Sequence, residues 1–94
     1  MAVFIPITLI EQTLDSVTYE YSQPIYATNP VKPRRNIEVG RHVGLLTLSK
    51  STGTITQLSG SEWDPKGLVF RRASVKVVRN HLQGLYPEST AYEA

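Results

Sequence analysis

From Val3 the odd positions Val3, Ile5, Ile7 and Leu9 are apolar, the period-two pattern of a strand with one buried face. Pro6 cannot donate to a ladder, so the edge should be free there or the strand should be an outer one. The chain reverses around Asp15 and Ser16. Val17, Tyr19 and Tyr21 then alternate with Thr18, Glu20 and Ser22, which predicts a second strand paired with the first. Ile37 to Leu48 returns to strand character in two pieces, because Gly40 and Gly44 weaken its middle and mark a bulge. Lys50 to Gly53 forms a hairpin turn in which Gly53 takes positive φ, and Thr54 to Leu58 is the return strand. Leu45, Leu46 and Leu48 fall on both faces, which leaves the register of this second hairpin undecided. Between the hairpins, Gln23 to Asn36 holds three prolines, no hydrophobic period and a basic end, the pattern of a long loop.

The period changes after Glu62. Asp64 is placed to cap a helix and Pro65 to occupy its first position, Trp63 to staple onto Leu68, and Gly84 to end it in the left-handed region. Ala73 to Val78 carries strand propensity and Gly67 weakens the first turn, but agreement between the start and stop signals favours a helix over Trp63 to Gly84. At about 100° per residue, Leu68, Phe70, Ala73, Val75, Val77, Val78 and Leu82 form one broad apolar arc, opposite Arg72, Lys76, Arg79 and Gln83. The arc is wider than a sheet-packing stripe needs, so the helix is either wrapped on nearly three sides or meets a second subunit. The tail after Gly84 is blocked from further helix by Pro87 and lies back on the domain through Leu85, Tyr86 and Tyr92. The expected fold is α+β: residues 1–94 as one domain, an antiparallel sheet of about four strands in two hairpins, and one C-terminal helix packed on a face.

Composition narrows the class. With 40% apolar and 19% charged residues the chain is that of an ordinary folded protein, and the absence of cysteine excludes disulfides and thiol chemistry. No segment is long enough to cross a membrane. The apolar start is interrupted by Pro6 and lacks a basic flank or cleavage site, so a cytoplasmic location is expected. The net charge of +2 is unevenly spread. Residues 1–31 contain Glu11, Asp15 and Glu20 and no Lys or Arg, whereas Lys66 to Arg79 holds five basic residues and no acid. Lys32, Arg34, Arg35 and Arg41 outweigh Glu38 between them, predicting a domain with one acidic and one basic side.

Catalytic patterns are missing. His42 and His81 belong to no metal-ligand spacing, and no serine lies in a GxSxG or SxxK pattern. Glu62 and Asp64 are close in sequence, but Asp64 is already explained as a helix cap. The expectation is a protein that is not an enzyme and needs no cofactor or metal. Arg72, Lys76 and Arg79 recur at about one helical turn and, extended by Arg34 and Arg35, are the candidate contacts for a partner or for a phosphate backbone. Arg71 falls between Val78 and Leu82 on the wheel. It must reach solvent, pair with an acid such as Glu20 or Glu38, or sit in an interface, since an unpaired buried charge is very costly. With His81 at the rim of the arc, it makes a candidate interface pair.

The second half, GLLTLSKSTGTITQL from Gly44, FRRA from Phe70 and GLYPEST from Gly84, resembles small bacterial immunity-type proteins of toxin systems over about half the chain. That resemblance implies a dedicated protein partner and no catalysis. The positive helix departs from the acidic surface that immunity proteins against nucleases often present. A non-catalytic protein-binding module, of the immunity-inhibitor kind, is therefore the leading expectation, with self-association as a dimer. A nucleic-acid-binding module using the basic helix face is the alternative.

Overall fold

The first apolar alternation folds as β1 (Phe4–Gln12) and the second as β2 (Ser16–Thr28), joined by a turn in which the Thr13 hydroxyl accepts the backbone N–H groups of Asp15 and Ser16. They are followed by β3 (Asn36–Ser49), β4 (Ile55–Ser59), α1 (Leu68–Leu82) and β5 (Ser89–Glu93). The computed structural model describes residues 4–28, 36–60 and 62–93. Its strands form one antiparallel sheet in the order β4-β3-β2-β1-β5, with α1 across one face over β1, β2, β3 and β5.

Three expectations about the sheet need correction. The sheet has five strands rather than about four, because part of the tail, Ser89–Glu93, pairs with β1 from Phe4↔Glu93 to Thr8↔Ser89. Nor is Gln23 to Asn36 all loop, since β2 runs to Thr28 and β3 begins at Asn36. Seven residue pairs, from Ser22↔Val43 to Thr28↔Asn36, lie past the last β1 partner (Ile7↔Tyr21) and the last β4 partner (Leu45↔Ser59). They form a two-stranded ribbon about 24 Å long at the usual rise per residue. β3 is one strand rather than two pieces, and its irregularity falls where Ile25 faces Gly40 but Tyr26 faces Glu38. Pro6 is tolerated in a strand with neighbours on both sides, and the β1–β2 register begins one residue past it.

Alternation decides the core. Ile5, Ile7, Val17, Tyr19, Tyr21, Leu46 and Leu48 point toward α1 and are fully or almost fully buried, meeting Ala73 and Val77 from the helix. Gly44 shares this face, and its missing side chain makes room for Tyr21. The Tyr21 hydroxyl accepts from Gln57 Nε2 at 3.1 Å and donates to the Ser59 carbonyl at 3.4 Å. Burial pushes this phenol above its ordinary pKa, against the Gln57 hydrogen bond and with the Asp64 charge adding, so it stays protonated as a donor. Tyr19 donates to the Pro87 carbonyl at 3.1 Å, fastening the approach to β5.

The helix starts later than its signals suggest. Gly67 adopts φ 64°, so α1 begins at Leu68 and not at Pro65. Asp64 still caps it from a turn upstream, accepting the Val69 N–H at 3.3 Å and the Phe70 N–H at 2.9 Å. Asp64→Ala is expected to lower stability by about 1 kcal/mol and Asp64→Asn by less, as read by urea denaturation. Equal losses for the two would deny the cap. Trp63 lies against His42 and Tyr21 while Leu68 is exposed, so the expected staple is replaced by an aromatic cluster. Gly84 ends the helix at φ 72°, as its position predicts.

Candidate protein-binding surface

The buried centre of α1 lies at Ala73 and Val77, with Val69, Phe70 and Val78 packed beside it. Rotating from that centre at about 100° per residue sets Leu68, Arg71, Val75, Arg79 and Leu82 along the opposite, outward ridge. Exposure agrees with the wheel. Leu68, Val75 and Leu82 are 47, 42 and 78% exposed, and Arg71 and Arg79 are exposed between them. Leu68, Val75 and Leu82, read from the sequence as part of the buried arc, thus form an apolar row facing solvent. The signal was present in the excess width of that arc and in Arg71, which no sheet-packing stripe would hold.

Arg71 resolves by reaching solvent, where its guanidinium donates to the Lys66 carbonyl at 3.1 Å. Arg72 and Lys76 flank the ridge half-buried, and Arg79 lies on it. Val75 separates Arg71 from Arg79 along the ridge, whereas Arg79, Arg72 and Lys76 lie together toward its flank. Arg34 and Arg35 lie outside the described residues. His81 turns inward, its Nδ1 2.7 Å from the Tyr86 hydroxyl, and Lys50 Nζ sits 4.8 Å above the Tyr86 ring while donating to the Thr13 carbonyl. This cluster ties the end of α1 to the β1–β2 turn.

A concave feature opens where β4 ends. A cleft of about 390 Å³ is lined by Val43, Ser59, Gly60, Glu62 and Trp63. Trp63 donates its indole N–H to the Val43 carbonyl at 3.1 Å and stacks on His42 with ring centres 5.1 Å apart. Gly60, at φ 114°, turns the chain away from the sheet, and a Cβ there would sit 3.0 Å from the Tyr21 hydroxyl. The indole N–H is thus committed to the fold, and among the described residues Glu62 is the one charged side chain in the lining. Among the described residues no three His, Cys, Asp or Glu side chains are grouped to hold a metal ion, and no helix is long and apolar enough to cross a membrane. No family model, curated protein or solved structure matches the chain.

Proposed function

We propose that this is a non-catalytic protein-binding module that acts by stoichiometric contact through the outer ridge of α1, in the manner of an immunity-type inhibitor. The observation that carries the reading is the interleaving of exposed apolar and guanidinium side chains in the order Leu68, Arg71, Val75, Arg79, Leu82. Apolar anchors beside arginine are the composition of interface hot spots. A phosphate backbone would reward the arginines and leave the exposed leucines and valine without partners. The partner surface this ridge fits is apolar and carries carboxylates.

Capture from native lysate with the wild-type chain and with Leu82→Glu tests the reading. A protein held by the wild type is expected to be depleted about tenfold or more by the variant, since the new carboxylate would face the partner's own. Equal recovery with both chains overturns it. Binding of DNA or RNA at low salt that falls steeply as salt rises would instead assign Arg72, Lys76 and Arg79 to phosphates.

A further inference from the structure

We propose that the ridge of α1 docks on the uncovered sheet face of a second copy of this chain, so that copies stack head to tail; this rests on reading the ridge as a protein-binding surface. The two surfaces lie on opposite sides of a two-layer domain, one beyond the helix and the other beyond the sheet. Among the described residues no element packs on the sheet face turned away from α1. The registers fix what that face presents. One row crosses all five strands as Ser59, Leu45, Glu20, Thr8 and Ser89. Toward the ribbon it continues as Val43 beside Ser22 and, on the other edge, Pro6 beside Ala91, with Phe4 beside Glu93 beyond. Phe4 and Val43 are 52 and 45% exposed.

Charge makes the two surfaces complementary. Among the described residues the open face carries Glu11 (opposite Thr18), Glu20 and Glu93 against Arg41 as its base, whereas α1 carries Arg71, Arg72, Lys76 and Arg79 and no acid. Size agrees as well. The ridge from Leu68 to Leu82 is about 21 Å long, and five strands span about 19 Å. A two-fold contact of ridge on ridge would set arginine against arginine, because such an interface uses the same patch twice. Ridge on open face avoids this and leaves each copy with one ridge and one face to offer, the condition for a ring or an open stack. It also completes the helix-sheet-helix layering that a sheet bare on one side lacks.

Sedimentation of the full chain tests this. The wild-type mass is expected to rise past two chains between about 10 μM and about 1 mM. Glu20→Lys and Arg79→Glu should each weaken association about tenfold or more, with thermal melts unchanged. An equimolar mixture of the two variants should form pairs that neither variant forms alone, because the first keeps its ridge and the second keeps its face. A wild type that stays monomeric throughout, association indifferent to both substitutions, or variants that fail to complement each other would overturn the stacking. Monomeric wild type together with loss of a foreign protein by Leu82→Glu would defeat the stacking alone. Leu82→Glu without effect on capture, and Arg79→Glu without effect on association, would defeat the ridge itself.

Discussion

Gly44→Ala is expected to destabilise the domain by about 3 kcal/mol, a fall of roughly 15 °C in Tm for a chain of this size. A Cβ at Gly44 would stand 2.4 Å from Tyr21 Cζ and 2.8 Å from its Cε2, well inside contact distance. The ring has nowhere to go. It is fully buried, with Trp63 and Phe70 at ring-centre distances of 6.1 and 6.3 Å, and its hydroxyl is held by Gln57 and Ser59. Shrinking the ring should relieve the clash, so Gly44→Ala combined with Tyr21→Leu is expected to fall short of the sum of the two single losses by about 1 kcal/mol or more. Denaturant midpoints for the four proteins of this cycle give the answer. A loss below about 0.5 kcal/mol for Gly44→Ala would mean that the tyrosine does not fill that space.

Leu46→Ala is expected to cost about 2 to 5 kcal/mol, and Leu45→Ala, one residue away, less than about 1 kcal/mol. Leu46 is fully buried under α1, opposite Tyr19 in β2, whereas Leu45 lies half-buried on the open face opposite Glu20. A slip of one residue in the pairing of β3 would exchange the two. The pair of melting curves therefore measures the register itself, and a larger loss at Leu45 would refute the sheet as described.

That register is where reading the sequence alone stops. Three leucines in four positions satisfy either face, and the choice is made by contacts with β2 and α1. Elsewhere local chemistry sufficed. The alternation through Tyr21, the positive φ of Gly53 and Gly84, and the capping carboxylate of Asp64 were each legible, because one residue type answers one local need. β5 was not. Ser89–Glu93 is a short strand beginning two residues after a proline, and its pairing comes from β1, remote in sequence. The ribbon was hidden by Pro24 and by the lack of a hydrophobic period from Gln23 onward. Pro24 is acceptable there because β2 has lost its β1 neighbour by that level, leaving a side that needs no donor. The candidate surface was half legible. The excess breadth of the apolar arc marked a second contact, but the wheel alone could not say which edge of the arc was surplus until Ala73 and Val77 were fixed against the sheet.

The strand order carries a consequence for how the chain comes to its native state. β1 leaves the ribosome well before β5, yet its ladder to β5 joins Phe4 to Glu93. Until residue 93 has left the exit tunnel, β1 is the border of an unfinished sheet, with its outer N–H and C=O groups bare and Ile5 and Ile7 waiting for the helix as well. Closure of the sheet therefore waits for residue 93, and nascent chains crowded on one message would meet with that border still open.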